Sequence, residues 1–206
     1  MENEILNIYD EHRNLIGKES RQEVHRKGHW HETFQCWIVE KVNGINYIYF
    51  QVRSDEKADF PSLLDITAAG HILAHETVED GIREVKEELG IDVKKDELLP
   101  LGVIKNTIIT GNFIDCEFGH NFLYKSKQPL TFNLQVEEVS GMVKANFNDF
   151  YQFCYGEIEE ILVEELLKSE PVRRYIGKDQ FVPHQDTYFK NVAERIAAYL
   201  DGASFQ

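Results

Sequence analysis

The chain has 206 residues, 42% of them hydrophobic, and a formal net charge of −14. That length supports one well-buried core with extensions, and the hydrophobic share is ordinary for a globular chain. The negative charge excludes nucleic-acid backbones and anionic membrane surfaces as favoured partners, and no apolar run is long enough to span a bilayer.

No signal-peptide pattern opens the chain, so a cytoplasmic location is expected. Cys36, Cys116 and Cys154 are scattered and odd in number, without metal-ligand spacing, and read as reduced, mostly buried thiols. In chain order, residues 1–29 form a polar N-terminal extension packing on the core, 30–170 the domain proper and 171–206 a C-terminal helical extension. Residues 34–39 read as a buried strand, Val42-Asn43-Gly44 as a hairpin turn and 45–52 as its alternating partner. A loop around Pro61 spans 55–69 and leads into an acidic helix. Strands are expected at 101–109, 113–124 and 139–145, then helices at 157–167 and 186–200. The last helix carries Phe189, Val192, Ile196 and Leu200 at helical spacing. Strands interleaved with helices make an α/β fold, a mixed sheet between helical layers.

The acidic helix carries the chemistry. Residues three and four apart are helical neighbours, so Glu84, Glu87 and Glu88 share a face. Val78, Ile82, Val85 and Leu89 form the opposite apolar stripe, which anchors the helix and leaves the acids pointing outward. Thr77 with Asp80 reads as an N-terminal capping pair, and Gly90 as a left-handed stop. Two like charges about 4 Å apart cost on the order of 4 kcal/mol at an effective dielectric near 20. Mg²⁺ (or Mn²⁺) would turn that repulsion into binding, through carboxylate oxygens, water and substrate phosphate. An arbitrary acidic helix face is more often simply solvated; the glycines and Glu76 around this one shift the balance.

The segment resembles the box of the Nudix hydrolase superfamily, G-x5-E-x7-R-E-U-x-E-E-x-G-U, with U a bulky aliphatic residue. Gly70, Glu76, Arg83, Glu84, Val85, Glu87, Glu88, Gly90 and Ile91 supply every motif type. One spacing departs: Thr77 to Ile82 give six residues between Glu76 and Arg83 instead of seven. In the family that glutamate braces the arginine. The shortfall puts the role of Glu76 in question and offers Glu79, four residues before Arg83, as a substitute. The resemblance implies an α/β/α sandwich over roughly residues 30–170.

A second resemblance is to the type 1 isopentenyl-diphosphate isomerases, which share that fold. Their histidine-rich metal site is matched by His25 and His31 (at a spacing of six rather than seven), by His71 in Ala69-Gly70-His71, and by Asp115 and Glu117 in Asp115-Cys116-Glu117. Together these five would bind a second cation. Ordinary strand-entry histidines and a solvent-facing polar edge explain them almost as well, since Asp115 and Glu117 face one side of a strand. Arg53 and Lys57 fall at positions that hold diphosphate in the isomerases, although surface cations are commoner. Ala69 replaces the isomerase cysteine and cannot exchange a proton, which argues for hydrolysis.

The implied reaction is Mg²⁺-dependent cleavage of a phosphoanhydride in a small nucleoside-diphosphate-linked substrate. Glu84 and Glu88 would hold one or two ions, and Glu87 would complete the shell or accept a proton. Arg83 would orient a glutamate, and Glu137 or Glu138 would supply a further base. Trp30, Phe60, Phe113 and Tyr124 are candidates to stack on a base, with core packing the commoner job. An isopentenyl-diphosphate isomerase, a prenyl-diphosphate hydrolase and a non-catalytic sensing module are the alternatives. The oligomeric state, a homodimer included, stays open.

Overall fold

Alternation along the central strands decides the architecture. The computed structural model describes residues 4–168, 170 and 172–200; residues 1–3, 171 and 201–206 of the two expected extensions lie outside the described residues. The elements are strands β1 (Ile5–Tyr9) and β2 (Leu15–Ser20), helix α1 (Arg21–Lys27), and strands β3 (Trp30–Val42), β4 (Ile45–Arg53), β5 (Leu64–Asp65) and β6 (Ala68–His71). Then come helix α2 (Arg83–Leu89), strands β7 (Leu98–Thr110), β8 (Phe113–Ser126) and β9 (Val139–Asn146), helix α3 (Phe147–Tyr155), strands β10 (Ile161–Glu165) and β11 (Val172–Ile176), and helix α4 (Asp186–Leu200).

One sheet runs β11-β10-β9-β4-β3-β1-β2, with β8 and then β7 also joined to β3, β5 to β4 and β6 to β3. The β3–β8 pair is parallel and the other pairs are antiparallel, so the sheet is mixed. β3 is buried on both faces, with Cys36 to Val39 as its continuous apolar centre and His31, Thr33, Gln35 and Glu40 as buried polar residues. Trp37 and Val39 point to one face, packing with Phe50, Phe150, Tyr188 and Ile196 under α3 and α4. Phe34, Cys36 and Ile38 point to the other, against Val85 and Leu89 of α2. Helices thus cover both faces of the sheet, as expected.

The hairpin between β3 and β4 turns on Asn43 and Gly44, at φ 50° and 87°, the paired left-handed geometry that matches strand twist. Helix 186–200 forms at its expected bounds, with Val192 and Ile196 fully buried. The helix expected at 157–167 does not form. Gly156, at φ 74°, stops α3 after Tyr155, and Ile161 and Val163 then alternate inward as β10. The helix lies one segment earlier, capped by the Asn146 side chain, with Phe147, Phe150, Phe153 and Cys154 buried. The expected loop 55–69 contains β5 and the start of β6, and the polar N-terminus contributes two strands and a helix to the fold. All three cysteines are free and buried. No described helix is long and apolar enough to cross a membrane.

Candidate active site

Val85 and Leu89 are fully buried and pin α2 against the sheet. A 3-10 turn, Asp80–Ile82, feeds the helix, and Asp80 accepts hydrogen bonds from the backbone and hydroxyl of Thr77 at 2.8 and 2.7 Å. Gly81 lies so close to Phe34 that a Cβ there would sit 2.5 Å from the Phe34 Cβ. Gly90, at φ 71°, ends the helix.

The acids do not all point outward as expected. α2 lies across β6, so the Glu84–Glu88 side of the helix faces a cleft between them. Glu88 is only 5% exposed. It accepts the Ala69 N–H at 3.1 Å and the Gln51 side-chain amide at 3.3 Å. Glu84, with a side chain 13% exposed, presses on Gly70, whereas the Glu87 side chain is 52% exposed. Burial lifts Glu84 to about 7, with Arg83 pulling it down and Glu87 pushing it up. Burial, reinforced by Glu84, also holds Glu88 well above the usual carboxylate range.

Despite the short spacing, Glu76 reaches Arg83. It accepts from Nε at 2.8 Å and from Nη2 at 3.1 Å, while Nη1 reaches Glu84 at 2.6 Å and Glu87 at 2.9 Å. Glu79 is not the substitute; it pairs with Lys95. A 3-10 turn rises about 2.0 Å per residue against about 1.5 Å in an α-helix, so fewer residues cover the same entry distance. The Arg83 hydrogen bond holds the Glu76 carboxyl below its ordinary value.

A second cluster shares the cleft. His25 from α1, His31 from β3 and His71 from β6 pack with ring centroids 5.1–5.3 Å apart. Their ligand atoms lie within 4.8 Å of one another, as do those of His31, Asp115 and Glu117. His31 Nδ1 lies 3.1 Å from the His29 carbonyl and His71 Nδ1 lies 3.2 Å from Glu4, contacts that leave each Nε2 free for the cluster. His25 Nε2, His31 Nε2 and Asp115 Oδ1 are buried without hydrogen-bond partners. They stand 3.6 and 3.4 Å apart across the two histidine–aspartate contacts. Burial costs such atoms dearly unless something binds them, and a cation fits this donor set. Burial, with His71 and His31 adding to it, lowers His25 to about 2; burial takes His31 to about 4 and raises Asp115 to about 6. Neutral imidazoles are the form that binds metal. Asp115 and Glu117 line the cavity, so a solvent-facing edge does not describe them.

The cavity measures about 510 Å³. Lys57 lines it in an ion pair with Glu138; Glu137 is exposed and lies off it. Arg53 lines it too, but donates to the Asp59 carbonyl at 2.7 Å, the Phe60 carbonyl at 3.1 Å and Asp65 at 3.0 Å, so much of the guanidinium holds the loop. Phe60 and Phe113 line the cavity, edge to face at 5.7 Å; Trp30 and Tyr124 do not line it. Arg21 escaped the sequence reading. It lines the cavity 3.2 Å from Asp59, four residues before His25 on α1, and that shared helical face was the available signal. Asp65 and His184 were missed too, and nothing in their local sequence marks them.

No family model matches the chain. An uncharacterised Nudix hydrolase of Clostridium acetobutylicum is 42% identical over 198 residues, covering 93% of this chain and 96% of that protein. The chain belongs to the Nudix hydrolase superfamily. An isopentenyl-diphosphate Delta-isomerase of Photorhabdus laumondii is 27% identical, over 66% of this chain and 74% of its own. Among solved structures, a MutT/nudix family protein from Enterococcus faecalis shares the fold at a TM-score of 0.53 and 13% identity, over 82% of this chain and 62% of that one. Nudix hydrolases generally use divalent metals.

Proposed function

We propose that this Nudix hydrolase cleaves a phosphoanhydride bond in a small nucleoside-diphosphate-linked substrate, with Mg²⁺ (or Mn²⁺) held by Glu84 and Glu88. The observation that carries this reading is the pair of buried carboxylates in one cleft, each raised by burial, with Glu84 adding to the rise at Glu88. When bound, the cation neutralises the diphosphate oxygens and acidifies the attacking water. Arg83, shared among Glu76, Glu84 and Glu87, holds the acid cluster in shape. Glu138, which lines the cavity in an ion pair with Lys57, would take the proton as water oxygen bonds to phosphorus and the bridging P–O bond breaks. Lys57 supplies a cation for the diphosphate, Arg21 and Arg53 support the same wall, and Phe60 and Phe113 offer faces for a base. His25, His31, His71, Asp115 and Glu117 would hold a second cation.

Isomerase chemistry has no proton donor at position 69, where the alanine backbone N–H binds Glu88 and the side chain is a methyl. The test is a screen of nucleoside diphosphates, nucleotide sugars, dinucleotides, coenzyme esters and isopentenyl diphosphate with Mg²⁺. The expected result is release of phosphate or nucleoside monophosphate, stopped by chelation. Isomer formation from isopentenyl diphosphate, with no nucleotide cleaved, would overturn the proposal.

A further inference from the structure

From the wall of the cavity, a hydrogen-bond chain runs through Asp65, His184 and Asn106, which have no part in the reaction above. His184, in the segment before α4, has Nε2 2.9 Å from Asp65 Oδ1 and Nδ1 2.9 Å from Asn106 Nδ2. The Asn106 amide is not free to flip, because its Oδ1 accepts the Gln185 N–H at 3.3 Å. Its NH₂ therefore donates to His184 Nδ1, which leaves the ring proton on Nε2, donating to Asp65. The His184 ring stacks on Tyr188 at 4.9 Å, which sets its plane.

Both ends of this chain reach groups of the cavity. Asn106 stands opposite Glu117 across β7 and β8 and favours its charged form, and the Gln35 side-chain amide donates to the same carboxyl at 3.1 Å. Asp65 accepts from Arg53 Nη1 at 3.0 Å, and the rest of that guanidinium holds the carbonyls of Asp59 and Phe60. Filling this space needs only apolar volume; burying a histidine, a carboxylate and an amide in mutual contact costs more unless their orientation matters.

We propose that His184 is a positioning residue: through Asn106 it fixes the Glu117 carboxylate for the second cation, and through Asp65 it fixes Arg53 and the loop at residues 54–63 for the diphosphate. The first half rests on the histidine–acid cation site proposed above.

The test uses Mn²⁺ binding followed by electron paramagnetic resonance, and inorganic pyrophosphate binding by calorimetry, neither of which needs turnover. His184→Phe keeps a ring against Tyr188 and deletes both nitrogen contacts. Asn106→Leu removes Asn106 from Glu117, His184 Nδ1 and the Gln185 N–H but leaves the His184–Asp65–Arg53 contacts in place. Each folded variant is expected to weaken the second Mn²⁺ by about 10- to 100-fold, the usual effect of removing a partner that orients a ligand. The double variant should lose no more than the worse single one. Pyrophosphate binding should fall in His184→Phe and hold in Asn106→Leu. Wild-type protein that takes up one Mn²⁺ rather than two would remove the cation site, and the proposal's first half with it. Two ions bound, with unchanged Mn²⁺ and pyrophosphate affinity in folded His184→Phe, would overturn the role of His184 alone. Should His184→Phe not fold, unchanged Mn²⁺ affinity in Asn106→Leu overturns the link to Glu117.

Discussion

Glu88→Gln is expected to lower turnover by on the order of 10³-fold, about 4 kcal/mol of transition-state stabilisation, while leaving the fold intact. Glutamine keeps an acceptor for the Ala69 N–H and similar volume, so the β6–α2 contact survives. What it removes is one of two buried charges that repel each other. Without cation, the variant should therefore melt no lower than the wild type, because charge burial without compensation is relieved. Adding Mg²⁺ should raise the wild-type melting temperature more than that of the variant, since a ligand stabilises only the form that binds it and the variant keeps only the histidine–acid cluster. Unchanged turnover in a folded Glu88→Gln protein would falsify the assignment of Glu88 to the cation.

Gly70→Ala should be nearly as damaging by a different route. A Cβ at Gly70 would lie 2.1 Å from Glu84 Oε1 and 2.2 Å from its Cδ. The Glu84 carboxylate must then leave its place beside Glu88. Gly70 is not among the positive-φ glycines, so alanine strains no backbone there and the protein should fold. A misplacement of about 1 Å near reacting groups commonly costs about 10²-fold in rate, and a comparable drop in kcat is expected. Circular dichroism and melting separate this from unfolding. Full activity in the alanine variant would mean that the Glu84 position against β6 is dispensable.

Local and periodic features were legible in the sequence. The Asn43-Gly44 turn, the helix at 186–200 and the acidic helix ending at Gly90 all follow from neighbours within a few residues. The segment after Gly156 was not: Ile158, Ile161, Leu162 and Leu166 fit helical spacing while Ile161 and Val163 fit strand alternation, and pairing with β9 and β11 decides between them. The direction of the acids was misread for a similar reason. Spacing shows that Glu84 and Glu88 share a face, but only the packing of α2 across β6 shows that this face is covered. The Glu76–Arg83 brace survived a missing residue because backbone form, invisible in residue counts, took up the slack. At the site, the histidines could be grouped only through a resemblance, since they come from α1, β3 and β6. Asp65 and His184 come from segments with no periodic or motif signal, and topology alone brings them to the cavity, whereas Arg21 was marked only by its helical spacing to His25.

The most direct test is diffraction from crystals grown with Mn²⁺, recorded at a wavelength where manganese scatters anomalously. An anomalous peak coordinated by the carboxylates of Glu84 and Glu88, lost in Glu88→Gln crystals grown the same way, is the expected result. Well-ordered side chains at both positions with no peak between them would contradict it.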